Sequence, residues 1–166
     1  METVAQYAAR IQSYVEGKDP LEVQRQTPEL LSQLLQGVPE EKLTSRSQPD
    51  KWSVAEVVAH LSEAELSASW RYRQMIEHDG GPLSAYDQDL WYKLGDYPAR
   101  PARESLQLFL LLRKNNLDMM ARLTTEEWQR HGLHAERGRM TVADLAQALA
   151  GHDLNHLEQI RKLVGK

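Results

Sequence analysis

Apolar and polar positions along the chain follow helical spacing. A Ser or Thr followed three residues later by Gln, Glu or Asp, just before an apolar stripe, is typical of a capping box at a helix start. The sequence has this pattern at Thr3, Ser53, Thr124 and Thr141. Thr27 followed by Pro28 adds a cap with proline in the first turn. These signals predict helices over residues 3–16, 28–36, 53–77, 103–123 and 141–164, with a short turn at 124–130.

The arrangement of these helices predicts the class of fold. No segment has the alternation of apolar and polar residues that indicates a half-buried strand. The last four helices are amphipathic, and each must pack its apolar stripe against the others. We therefore predict an all-α, four-helix bundle with a short extra N-terminal helix.

Composition supports one globular domain spanning residues 1–166. Of the 166 residues, 41% are hydrophobic and 27% charged, and a chain of this length can bury a substantial core. The net charge is −4 and the basic residues are scattered, which disfavours a nucleic-acid partner. The absence of cysteine excludes disulfides and thiolate metal sites.

The apolar runs of the sequence are short. None reaches the roughly 18 residues of a membrane span, and the first helix lacks the continuous apolar core of a signal peptide. We expect a cytoplasmic protein with no membrane partner.

The last predicted helix has polar side chains on its buried stripe. Alternate steps of four and three residues give the series Leu145, Leu149, His152, His156, Gln159 and Leu163. His152 and His156 are one helical turn apart, so both imidazoles can face a single atom. This is the spacing of metal-binding helices, which need at least one more ligand.

A third histidine lies on the stripe of the helix that begins near Ser53. His60 is followed there by Ala64 and Ser67, two small residues that leave space beside it. Three histidine nitrogens suit a zinc, nickel or iron ion. Glu63, near the same face, is a candidate general base that could accept a proton from water.

Other candidates lie on the third main helix and in the long connections, 78–102 and 130–140. Arg113 falls on an apolar stripe and could bind a substrate carboxylate. The first connection could close over the site and offers a second proton acceptor, Asp87, in a segment with Tyr86, Gln88 and Trp91. Connections of this length in a small bundle are often functional.

Each candidate has a structural alternative. A histidine on an apolar face is often a core residue with a satisfied hydrogen bond, and Glu63 can be a solvated surface residue. Arg113 could extend its guanidinium out of the bundle, and Gln159 could orient His156 or only join two helices. We expect His131 and His134 to face solvent, and Trp52, Trp70 and Trp128 to serve in packing.

Two segments carry a family resemblance. "KWSVAEVVAHLSEAE" and "RGRMTVADLAQALAGHDLNHLEQIRKL" together resemble the DinB-like superfamily, in the group of YfiT-like metal-dependent hydrolases. The likeness extends from about Asp19 to the C-terminus. It implies up-down-down-up connectivity, a homodimer, and a divalent metal ion on His60, His152 and His156.

The resemblance also implies a class of chemistry. Relatives include transferases and isomerases that use a low-molecular-weight thiol, while others are described only as hydrolases. Our first hypothesis is an enzyme for a small-molecule substrate, in which a metal ion activates water or a thiol and Glu63 or Asp87 handles the proton. The alternatives are a protein that binds a metal or small ligand without chemistry, and a structural bundle whose histidines only pair.

Overall fold

The computed structural model describes residues 3–166, those at positions 4 and 5 by their backbone alone. The four long helices of the bundle are α2 (Pro20–Leu35), α4 (Val54–Glu77), α6 (Ala102–Met120) and α8 (Val142–Val164). Shorter helices precede or connect them: α1 (Val4–Val15), α3 (Glu40–Thr44), α5 (Gln88–Leu94) and α7 (Thr125–Gln129), with a 3-10 turn at Tyr97–Ala99. The prediction of an all-α bundle is confirmed.

The predicted capping boxes are all present. At each of the four, the Ser or Thr side chain accepts the backbone N–H three residues on, and that residue's side chain accepts the cap's own N–H. These reciprocal bonds fix the starts of α4 and α8, which carry the three histidines. Helix α8 ends at Gly165, where φ is 77°, a backbone conformation that glycine adopts without strain.

Helix α2 begins eight residues earlier than predicted. Asp19, not Thr27, caps it, and Pro28 lies inside the helix. Pro28 has no N–H to donate to the carbonyl of Gln24 one turn earlier. Arg113 of α6 supplies the missing donor through Nη1, 3.2 Å from that carbonyl oxygen. A partner from another helix therefore allows the proline to stay inside α2.

The helices run up-down-down-up. Gln24 near the start of α2 donates to the carbonyl of Ala146 near the start of α8, and Lys166 donates to carbonyls at the end of α2, so these two helices are parallel. Ser69 of α4 donates to Asn116 of α6, while Val54 and Ala102, at their first residues, share one core cluster. Helices α4 and α6 are therefore also parallel, and antiparallel to the first pair.

The long connections contain a small sheet that the sequence did not predict. Strand β1 (Gly81–Pro82) pairs in parallel with β2 (His131–His134), and β2 pairs antiparallel with β3 (Gly138–Thr141). Two to four residues are too few to show alternation. A side chain at Gly132 would meet Leu83 at 2.4 Å, so glycine permits the close approach. The expectation that His134 faces solvent is wrong, since it is 8% exposed.

Most of the apolar side chains of the bundle lie in its interior. Among the described helices, none has both the length and the apolar character needed to cross a bilayer. A small apolar cluster joins Val23 of α2 to Ala150 of α8. Two larger ones fill most of the core: one at the end with Val57, Phe109 and Ile160, the other at the end with Tyr72 and Leu145. The three histidines lie between these clusters along α4 and α8, so the fold places them in the interior.

Candidate metal centre

Three histidines from two helices meet in the bundle. The Nε2 atoms of His60 and His152 are 2.9 Å apart. The ring of His156 lies 5.0 Å from that of His60 and 4.4 Å from that of His152, measured between centroids. One nitrogen from each ring falls within 4.8 Å of the other two, a separation at which the three could hold one metal ion. The stripe analysis thus predicted which histidines come together.

Hydrogen bonding favours one orientation of the His156 ring. Its Nδ1 lies 2.8 Å from Oε1 of Gln159, an acceptor, so Nδ1 carries the proton and Nε2 keeps its lone pair. The Nδ1 atoms of His60 and His152 are buried and make no hydrogen bond within residues 3–166 as described. Their Nε2 atoms face each other on the inner side of the cluster, where one donates a hydrogen bond to the other.

Burial keeps the three imidazoles neutral. It lowers the pKa of His60 to about 3, with a further contribution from His156. Burial likewise lowers the pKa of His156 to about 4 against the opposing bond to Gln159, and that of His152 well below its usual value. A neutral ring is the form that binds a metal ion. At neutral pH none of the three rings carries a second proton.

A cavity of about 300 Å³ adjoins His152. It lies between α4 and α8 under α1, and Ala64 forms part of its wall. The expectation that Ala64 leaves space near the histidines is therefore confirmed. The other small residue of that stripe, Ser67, is 9% exposed and is not among the lining residues. Trp52 closes another side of the cluster, with its ring 5.2 Å from that of His60.

The two predicted proton acceptors have other partners. Glu63 is partly buried, and its Oε1 accepts a hydrogen bond from Nη1 of Arg100 at 2.6 Å. Asp87 is exposed and its Oδ1 accepts the backbone N–H groups of Asp89 and Leu90, which caps α5. In that connection Tyr86 stacks on Trp91 with ring centroids 4.3 Å apart, and Gln88 is the first residue of α5.

Arg113 is placed differently from the sequence prediction. It is fully buried, and its Nη1 and Nη2 donate to both carboxylate oxygens of Asp153, at 2.5 and 3.1 Å. Nη2 also donates to Glu65 at 2.8 Å. These bonds occupy the guanidinium, so the expectation that Arg113 binds a substrate anion is corrected: Arg113 joins α6 to α4 and α8.

The sequence patterns did not predict that the carboxylates of Asp153 and Glu65 bind Arg113. Burial lowers the pKa of Arg113, but Asp153 and Glu65 outweigh it and raise that pKa above its usual value. Asn116 donates to Glu65 at 2.7 Å and accepts from Ser69 at 2.5 Å. Asp153 directly follows His152, so this network anchors the backbone that carries a histidine of the cluster. The sequence signal that could have revealed this network is an acidic residue on the buried face of each of two helices, α4 and α8, opposite a single arginine on α6.

The sequence matches a known family over most of its length. The model of the DinB superfamily matches residues 24–160, and the chain belongs to that superfamily. A protein of Halalkalibacterium halodurans named "putative metal-dependent hydrolase" is 27% identical over 135 residues, which cover 81% of this chain and 78% of that protein. A protein of Oceanobacillus iheyensis with the same name is 26% identical over 136 residues, covering 82% and 78%.

A solved structure gives the same fold. YfiT from Bacillus subtilis, described as "a probable metal-dependent hydrolase with an unusual four-helix bundle topology", superposes with a TM-score of 0.78. It is 19% identical in sequence, and the match covers 88% of this chain and 86% of that one. At this level of identity the likeness shows the architecture alone.

Proposed function

We propose that the protein is a metal-dependent enzyme whose divalent ion is held by the Nε2 atoms of His60, His152 and His156. One observation carries the proposal: three neutral imidazoles converge within 4.8 Å of one another beside a cavity of about 300 Å³. The names of the relatives support the metal dependence. A cluster that only stabilised the core would not need an adjoining cavity.

The residues fit such an ion. Nitrogen donors of this kind suit zinc, nickel or iron, and three protein ligands leave a position for a reactant. A divalent ion with neutral ligands keeps its charge and lowers the pKa of a bound water or thiol. Gln159 holds His156 in the tautomer that ligation requires, because its carbonyl oxygen accepts the Nδ1 proton.

Proton transfer is assigned to Glu63. It lies on α4 less than one turn after His60, and only its Oε1 is bound by Arg100, so Oε2 is available to accept a proton. Arg100 holds the carboxylate in one position. Asp87 is the alternative acceptor if the connection that carries α5 moves toward the cluster.

The reaction is proposed as hydrolysis or as transfer to a low-molecular-weight thiol. The names of the relatives favour hydrolysis, in which water is the nucleophile. The family resemblance of the sequence supports a low-molecular-weight thiol as the other candidate nucleophile. In either case a nucleophile attacks an electrophilic small-molecule substrate in the cavity beside His152. The protein's own part is to hold the three imidazoles, exclude bulk water through α1, and accept the proton.

A homodimer is part of the proposal. Large apolar side chains are exposed on the outer faces of α4 and α6, namely Leu66, Trp70, Leu108 and Leu111. A partner copy would cover them, as large exposed apolar patches on proteins usually mark an interface. Sedimentation equilibrium should give twice the chain mass. A monomer at micromolar concentration would contradict the dimer and leave the metal site untouched.

Turnover tests the enzyme proposal. The purified protein, reconstituted with zinc, nickel or iron, is assayed with p-nitrophenyl esters in water, and with bacillithiol or mycothiol plus an electrophilic bimane. We expect one of these reactions to depend on the ion and to be lost in His156→Ala. The exposed His78 provides the matched control, His78→Ala, which should keep full activity. Turnover that survives EDTA treatment would contradict the proposal.

A further inference from the structure

The cavity beside His152 extends along the groove between α4 and α8. Because these helices are antiparallel, Ala64 and Ala68 of α4 lie opposite Leu149 and Leu145 of α8, and all four line the cavity. Helix α1 forms the roof. The walls between the two ends are therefore apolar and made of small or aliphatic side chains.

Two arginines line the end away from the histidines, Arg71 of α4 and Arg137 of the β2–β3 turn. Nε of Arg71 donates to the carbonyl of Ser84 at 3.0 Å, and its guanidinium lies 5.5 Å from the ring centroid of Tyr86. Its terminal amino groups, and all donors of the Arg137 side chain, make no hydrogen bond to any residue in the described part of the chain. Two guanidinium groups thus have donors to offer.

Among the described residues, no carboxylate forms an ion pair with Arg71 or Arg137. Glu136 is near enough to favour the charge of Arg71, but forms no ion pair with either arginine within the described residues. Asp144 also lines the cavity, and its Oδ2 accepts the backbone N–H of Thr141 as part of the α8 cap. The two arginines repel each other, and both add to the effect of burial in lowering the pKa of His134, which Glu136 opposes. The two guanidinium groups at this end of the cavity thus form no ion pair with a described residue, although the carboxylates of Glu136 and Asp144 lie nearby.

We propose that the cavity binds an elongated small molecule whose oxyanion head, a carboxylate or a phosphate, lies between Arg71 and Arg137. Guanidinium groups bind such heads through paired N–H donors. The apolar body would lie along Ala64, Ala68 and Leu149, with the far end at His152. That this molecule is the substrate rests on the proposed function, whereas its binding does not.

The dimensions suit such a molecule. The Cα atoms of His60 and Arg71 are about 16 Å apart along α4, from the rise of 1.5 Å per residue. Side chains on a helix tilt toward its N-terminus, which brings the Arg71 guanidinium closer to the histidines. The cavity of about 300 Å³ is at the lower limit of ligand sites. It therefore selects a slender, small molecule.

Calorimetric titration with three six-carbon compounds tests this assignment. Hexanoate, hexyl phosphate and hexanol are titrated into the full chain as purified and again in EDTA. We expect both anions to bind at least tenfold more tightly than hexanol, with the same affinity in EDTA. Equal binding of hexanol and hexanoate, or no saturable binding of either anion, would overturn the proposal.

Variants that remove the charge of each cavity arginine test where the oxyanion head binds. Arg71→Gln and Arg137→Gln should each weaken hexanoate binding at least tenfold. Arg139 is an exposed arginine two residues along the same hairpin and does not line the cavity, so Arg139→Gln should leave binding unchanged. Equal effects of Arg137→Gln and Arg139→Gln would overturn the assignment. Arg137 makes no hydrogen bond to a described residue, so its variant remains informative if Arg71→Gln fails to fold.

The EDTA arm separates this proposal from the metal proposal. If the carboxylate bound the ion itself, EDTA would abolish hexanoate binding, and the arginine assignment would be wrong. If the protein held no metal at all, the arginine-dependent binding of both anions would remain, and only the enzymatic proposal would fail. The two proposals therefore have distinguishable outcomes.

Discussion

The Nε2 atoms of His60 and His152 lie 2.9 Å apart, although 92 positions separate the two residues in the sequence. Two neutral rings at this distance share one proton, so one nitrogen donates and the other accepts. His156, fixed by Gln159, adds the lone pair of its own Nε2 beside them. This arrangement follows from two antiparallel helices, each with histidine on its buried stripe, and it underlies the predictions below.

The bond between Gln159 and His156 should strengthen metal binding. In Gln159→Leu the His156 ring loses its acceptor, so the required tautomer and orientation are no longer favoured. We expect metal affinity to fall about 10- to 100-fold, the usual effect of losing such a partner, with an unchanged circular dichroism spectrum. Competition titration with a chromogenic chelator measures the affinity. Gln147→Leu, on the same helix away from His156, is the control, and an equal effect of both variants would contradict the role.

Acid should destabilise the metal-free protein through the buried histidines. Their folded pKa values, about 3 for His60 and about 4 for His156, are below the usual value near 6.5. Below pH 6.5 the unfolded chain therefore binds protons that the folded chain does not, and stability falls as the pH decreases. Each histidine contributes up to about 1.4 kcal/mol per pH unit.

Urea denaturation in EDTA at pH 7.5, 6.5, 5.8 and 5.0 measures this dependence. We expect the histidines to affect the unfolding free energy little above pH 6.5 and to lower it increasingly as the pH falls below 6.5. His156→Gln should show a shallower slope, while the exposed His78→Gln should keep the slope of the unmodified protein. An unfolding free energy that stays constant from pH 6.5 to 5.0 would rule out neutral buried histidines.

The buried arginine network should be essential for stability. Arg113→Met removes the donors to Asp153, Glu65 and the Gln24 carbonyl, and leaves carboxylates buried without a counter-charge. Breaking such a pair costs about 3–5 kcal/mol. Chemical denaturation measures the loss. Arg139→Met, at an exposed position, should change stability by less than about 0.5 kcal/mol, and a similarly small effect of Arg113→Met would show that the network contributes little.

Gly151 should be required for α1 to pack on α8. A Cβ there would lie 2.1 Å from the backbone oxygen of Ile11, so Gly151→Ala must displace α1. We expect faster tryptic cleavage at Arg10 and a stability loss of about 1–3 kcal/mol, as for other overpacked sites. Ala148→Gly, one turn earlier on α8, makes room and should not release α1 to the same extent. Unchanged cleavage in Gly151→Ala would contradict this close approach.

Local signals in the sequence predicted much of the fold and the cluster. Capping boxes depend on residues three apart, and the buried stripe depends on one helix at a time. The capping boxes and buried stripes of α4 and α8 could therefore be predicted from the sequence, and the stripes identified His60, His152 and His156. The DinB resemblance then supplied the connectivity that periodicity alone left open.

Features that depend on distant partners were not predictable. Pro28 resembled a helix start because the donor that replaces its N–H comes from Arg113, far along the chain. Arg113 resembled a substrate ligand because nothing nearby in sequence indicated that Glu65 and Asp153 would both bind it. The strands were too short for a pattern, since pairing between two connections forms them.

Metal content tests the central claim most directly. The untagged protein is incubated with zinc, nickel or iron, desalted, and analysed by inductively coupled plasma mass spectrometry beside His156→Ala and His78→Ala. We predict about one ion per chain in the unmodified protein and in His78→Ala, and less than a tenth of that in His156→Ala. No retained ion in the unmodified protein, or equal retention in the two variants, would contradict a metal centre on His60, His152 and His156.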